Sequence, residues 1–132
     1  MTQEDKELLL KDLCSRLPYG VKCQYHHIQE IITDILIDIN MFGRVNIDGH
    51  IKDICDIKPY LFPLSSMTEE QKEEFDQFLE QLLELELKAI SDEIDQAQVT
   101  AFEIDFYNKH HFDWRGLIKK GLAIDATNLN IY

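Results

Sequence analysis

Positive charge is scarce in this sequence. Thirteen Lys and Arg stand against 25 Asp and Glu, a formal net charge of −12 over 132 residues. Such a balance repels phosphate and argues against unaided binding to DNA, RNA or an anionic membrane surface. Cysteine is also sparse. Cys14, Cys23 and Cys55 are odd in number, have no C-x-x-C spacing and sit among apolar neighbours. That pattern speaks against a disulfide framework or a cysteine zinc site and predicts three buried, reduced thiols. No run approaches the ~18 apolar residues of a membrane-spanning helix, and Met-Thr-Gln-Glu-Asp at the start is unlike a basic signal-peptide head. The expectation is a soluble, cytoplasmic protein with no membrane association. A glycine-rich phosphate loop, a G-x-S-x-G elbow, H-E-x-x-H and H-x-E with C-x-x-C are all missing, so no cofactor is implied and no catalytic residue is named.

What is present suffices for one domain over residues 1–132. The chain is 45% apolar, and a chain of this size buries roughly two thirds of its unfolded surface. Residues 2–17 predict a helix. Thr2 is its N-cap, Glu4 and Asp5 lie in the first turn, and Leu9, Leu10, Leu13, Cys14 and Leu17 form one apolar stripe. Pro18, Tyr19 and Gly20 stop it. Over 21–57 the period changes to two. Val21, Cys23, Tyr25 and His27 alternate with polar residues, Gln29-Glu30 interrupts, and Ile35, Ile37, Ile39 and Met41 alternate again. With Val45–Ile47, an Asp48-Gly49 turn and Ile51–Ile57, this predicts three or four antiparallel strands. Residues 58–67 carry Pro59 and Pro63 and predict an extended connection.

Thr68 and Gln71 then form a capping box that opens a helical stretch over 69–111. One helix from 69 to 98 would be roughly 45 Å long, against a domain diameter of about 36 Å. The stretch is therefore expected to break near residue 91, where Ser91-Asp92-Glu93 can cap a second helix. A helix that protruded instead would imply self-association. Asp113 predicts the cap of a short helix over 113–121 that stops at Gly121, and Leu122, Ile124, Leu129 and Ile131 predict a docked tail over 122–132. The fold class is α+β: an N-terminal helix, a small antiparallel meander, and a helical C-terminal half packed on the sheet.

Three stretches carry a resemblance: LLLKDLCSRLPYGV at 8–21, IKPYLFPLSSMTEE at 57–70, and HHFDWRGLI at 110–118 followed by Gly121-Leu122-Ala123. Together they resemble a family of short acidic proteins found in gut-bacterial genomes and their phages and mobile elements. The resemblance implies that genomic setting and carries no activity with it. Segments 22–56 and 72–105 lie outside it.

Two constellations invite functional readings. His110, His111 and Asp113 supply metal-ligand chemistry beside Arg115 and suggest a small metal-assisted hydrolase or nuclease. Adjacent histidines on a helix diverge by about 100°, however, so the plainer reading gives Asp113 a capping role and the histidines packing roles. His26-His27 is a second pair; in a strand its members face opposite sides. The other constellation is charge. Residues 66–98 hold 11 acidic and 2 basic side chains, which places three quarters of the net charge in one quarter of the chain. Glu70, Glu73, Glu74, Glu80, Glu84 and Asp95 form an acidic face suited to a basic partner protein, or to mimicry of a nucleic-acid backbone. The plain alternative is a solvated face. The leading expectation is a non-enzymatic interaction protein that binds a partner protein through this face or through self-association.

Overall fold

A computed structural model describes residues 1–26, 28–37, 43–47, 50–88 and 96–132. It shows an α+β fold with an N-terminal helix, an antiparallel sheet and C-terminal helices packed against them. Helix α1 spans Gln3–Arg16 and opens with a reciprocal capping box, Thr2 Oγ1 accepting from the Asp5 amide and Asp5 accepting from the Thr2 amide. Its buried side is Leu9, Asp12, Leu13 and Arg16, while Cys14 is exposed. The stripe thus departs from the apolar set expected, because two charges on the buried side neutralise each other. Cys55 is exposed as well, leaving Cys23 as the one cysteine inside the core.

Strands β1 (Lys22–Tyr25), β2 (Ile28–Ile37), β3 (Gly43–Ile47), β4 (His50–Asp53) and β5 (Ile57–Pro63) pair in the order β4-β3-β2-β1-β5, all antiparallel. The first hairpin turns at His26, which takes φ 47°, so Gln29 and Glu30 belong to β2 and do not interrupt the strands. His27, residues 38–42, the Asp48-Gly49 turn and the expected break near 91 fall outside the described residues; Ile47 pairs with His50 across the third hairpin. The expected Pro-rich connection is largely strand β5. It accommodates two residues without N–H groups by exchanging partners along its length: β1 for 57–59, then two short parallel strands, β7 (Ile124–Asp125) at 60–61 and β6 (Phe112–Asp113) at 62–63.

The sheet is rolled. β4 and β5 are four strand spacings apart, about 19 Å across a flat sheet. Only a 3₁₀ turn, Ile54–Asp56, joins Asp53 to Ile57, a link of at most about 14 Å. The five strands must curl to close that difference, and the register shift between Ile32 and Asp34 supplies a bend. Leu9 and Leu13 of α1 fill the concave side against Val21, Ile32, Val45 and Ile57, which are almost fully buried.

Helix α2 spans Glu69–Lys88 and starts at the Thr68/Gln71 capping box, with both reciprocal bonds formed. Helix α3 spans Gln96–Lys109. Phe75 lies 5.1 Å from Phe106 and Phe78 lies 5.3 Å from Phe102, centroid to centroid. Along one straight helix Phe75 and Phe106 would be separated by roughly 46 Å, so α2 and α3 run antiparallel as a hairpin. Residues 113–121 form no helix. Gly116 at φ 76° interrupts the helical geometry, and what remains is one turn with a Schellman pair of bonds, Leu122 N to Leu117 O and Gly121 N to Ile118 O. The tail returns to the sheet through β7, paired with β5, and through Tyr132, whose hydroxyl donates to Tyr60 O at 3.0 Å. Among the described residues no helix is long and apolar enough to cross a membrane.

Candidate functional site

α3 hands the chain to β6 through His110 and His111. His111 takes φ 62°, a left-handed helix-end conformation; its amide donates to Asn108 O and its carbonyl accepts from the Phe62 amide at 2.8 Å. That geometry sends the two imidazoles apart. His110 Nε2 lies 3.6 Å from Glu74 Oε2 on α2, with the ring against Phe106. The His111 ring stacks on Tyr132 at 3.7 Å and 10°. Burial, reinforced by the nearby charges of Arg16, His110 and Lys22, lowers the His111 pKa to about 4, so the imidazole is neutral. The Asp113 carboxylate is occupied elsewhere: Oδ1 accepts from Leu117 N at 2.8 Å and Oδ2 from Ile118 N at 2.9 Å. Among the described residues no group of three or more His, Cys, Asp or Glu side chains converges on one point that could hold an ion. His110, His111 and Asp113, the alternative metal set, are thus not brought together: Asp113 accepts from the amides of Leu117 and Ile118, the His111 ring lies on Tyr132, and His110 lies against Phe106 near Glu74.

Around these residues lies a polar cluster that the sequence reading missed. Asp12 and Arg16 are both 0% exposed, with Arg16 Nε donating to Asp12 Oδ2 at 2.8 Å. Arg16 Nη2 donates to Phe112 O, and Arg115 Nε lies 3.3 Å from Asp12 Oδ1 while its guanidinium lies over the Trp114 ring. Asn108 is buried too, accepting from Trp114 Nε1 at 2.9 Å. Burial pushes the Asp12 carboxyl above its usual range, partly offset by the Arg16 and Arg115 charges. A signal for the cluster was available: Asp12 and Arg16 are an i, i+4 pair on the same side of the helix as Leu9 and Leu13. Residues from two of the motif-bearing stretches, 8–21 and 110–118, meet in this cluster, and 57–70 joins them through the pairing of Phe62 with Phe112. One carboxylate faces two guanidiniums, and the bonds from Arg16 to Asp12 and to Phe112 O tie α1 to β6.

The charged face presents a different environment. Glu70, Glu73, Glu80 and Glu84 are exposed on α2. At about 100° per residue they share an arc of roughly 80° with Gln77. Glu74, at the border of that arc, is only half-exposed and is drawn toward α3, 4.0 Å from Lys109 Nζ and 3.6 Å from His110. Asp95 lies outside the described residues. Next to Glu74 on the wheel, Phe78 is 50% exposed, its ring stacked on Phe102. A small cleft of about 240 Å³ opens at the start of α2 between Phe62, Thr68, Gln71 and Phe112; the Thr68 hydroxyl and the Gln71 side-chain carbonyl are engaged in the capping box. The chain matches no family model, no curated protein and no solved structure.

Proposed function

We propose that this is a non-enzymatic, cytoplasmic interaction protein, of the kind encoded by phages and mobile elements, that binds a basic partner protein through the acidic face of α2. The observation that carries the reading is the row Glu70, Glu73, Glu80 and Glu84, exposed on a helix whose other side packs on α3. Four carboxylates on one face create a field that steers a cationic surface and sets its orientation. The alternative, a small metal-assisted hydrolase or nuclease using His110, His111 and Asp113, has less support, since these side chains face Glu74, Tyr132 and the turn at Leu117 respectively. Mimicry of a nucleic-acid backbone is the special case in which the partner's basic surface is itself a nucleic-acid site.

The test is capture from a gut-bacterial lysate with the wild-type chain and with Glu73→Lys/Glu80→Lys/Glu84→Lys. The reading predicts proteins of basic character that are retained by the wild type, released as salt rises through about 0.3 M, and not retained by the variant. An identical set on both baits, or retention indifferent to salt, overturns it.

A further inference from the structure

The α2–α3 hairpin carries an aromatic seam whose burial is graded among the described residues. Phe106 is buried at its base, Phe75 and Phe102 are half-buried, and Phe78 is half-exposed at 50%. Phe78 is nonetheless fixed in place, because its ring stacks at 23° on Phe102, which itself lies 5.7 Å from Phe75. An aromatic ring with one face held and the other open to water has already lost most of its rotamer freedom. A partner that covers it gains apolar burial at little ordering cost. At 100° per residue the neighbours of Phe78 on the solvent side of α2 are Glu74, Gln77 and Gln81, with Glu70, Glu73, Glu80 and Glu84 beyond them. An apolar centre with a polar, single-sign rim has the anatomy of a binding hot spot.

We infer that this seam is the seat of one amphipathic helix from a partner protein, with leucine-type side chains over Phe78 and Phe102 and lysine or arginine along the edge that faces the glutamates. A helix suits the place because packing a third helix into the groove between two others completes a bundle at the usual spacing of roughly 8–10 Å. Charge decides whose helix it is. Segment 69–88 carries eight acidic and two basic side chains, so α2 of a second copy laid on the same seam would set like charges face to face, which costs stability. A cationic helix neutralises the rim that a second copy would repel. This inference rests on the acidic-face reading above and adds to it the anchor and the shape of the partner.

The probe is a synthetic amphipathic Leu/Lys helix of about five turns, titrated by calorimetry into the full chain, with a composition-matched scrambled peptide as control. The expected result is binding at least tenfold tighter than the scrambled peptide, with amide shifts centred on residues 74–81 and 102. Phe78→Ala is expected to weaken binding tenfold or more, and Phe78→Gln, which retains a side chain at the position, should do the same; circular dichroism confirms that both variants are folded. Binding abolished by Glu73→Lys/Glu80→Lys/Glu84→Lys but untouched by either Phe78 change overturns the anchor and leaves the acidic-face reading standing. Binding indifferent to both sets of changes overturns both. Equal affinity for the scrambled peptide rules out a helical occupant, and a wild-type dimer that Phe78→Ala converts to monomer assigns the seam to a second copy.

Discussion

Replacing Arg16 by methionine removes the cation that neutralises Asp12 in a position with no solvent access. Asp12 would keep only Arg115, whose Nε is 3.3 Å from Oδ1, and Phe112 O would keep only the Trp114 amide, at 3.2 Å. Breaking a buried pair from one side typically costs about 3–5 kcal/mol; allowing for partial compensation by Arg115, the expectation for Arg16→Met is about 3–4 kcal/mol. A domain of this size has only about 5–15 kcal/mol in total, so the urea midpoint should fall sharply. The double variant Asp12→Leu/Arg16→Met removes both charges and retains an apolar filling. Its residual cost is the loss of one of the two hydrogen bonds to the Phe112 carbonyl, about 0.5–1.5 kcal/mol, since the Trp114 amide still donates there, while Arg115, at 20% side-chain exposure, can turn to water. The double variant should therefore be more stable than Arg16→Met alone. Urea unfolding followed by the fluorescence of the one tryptophan, Trp114, measures the wild type, Asp12→Leu, Arg16→Met and the double variant. Strict additivity of the two single changes, or a cost below about 1 kcal/mol for Arg16→Met, would refute the locking role assigned to the pair.

Acid stability tests the His111–Tyr132 contact. The His111 pKa falls from 6.5 to about 4 on folding, so the unfolded chain takes up the proton first. The resulting stabilisation is complete above pH 6.5, declines as pH falls from 6.5 toward 4, and is gone below. The full shift corresponds to about 3 kcal/mol; since the ring is partly exposed and screened, about half of that is expected. His111→Phe retains a stacking ring without the titration, so its stability should fall less steeply over that window, and parallel curves would contradict the assignment. Thiol labelling of the native protein should modify Cys14 and Cys55 readily. Cys23 should react only on unfolding, since it is buried and its thiol is pushed up to about 12; three equally fast thiols would contradict the burial.

Local chemistry made much of the architecture legible. The Thr2/Asp5 and Thr68/Gln71 caps depend on contacts three residues apart, and both are formed. Alternating apolar residues mark strands because a sheet buries one face. Boundaries were harder, since the turn at His26 depends on one residue adopting positive φ, which no periodicity signals. The short helix expected from Asp113 shows the same limit: the carboxylate does bind downstream amides, but Gly116 lets the chain turn away before a helix can propagate. The buried Asp12–Arg16–Arg115 cluster depended on reading charges as part of a stripe, and its third member is distant in sequence. The fate of His110 and His111 could not be read locally either, because their partners, Glu74 and Tyr132, come from α2 and the tail.

The most direct test of the central claim is site-specific photocrosslinking with a photoreactive residue at position 77, within the acidic arc, compared with the same residue at position 51. Ile51 is exposed on β4, an element outside the α2–α3 hairpin. The account predicts discrete protein adducts from position 77 only, lost at about 0.5 M salt, where the Debye length shrinks to a few ångströms, and lost in the Glu73→Lys/Glu80→Lys/Glu84→Lys background. Adducts formed equally from position 51, or adducts at position 77 that survive both salt and charge reversal, would contradict it.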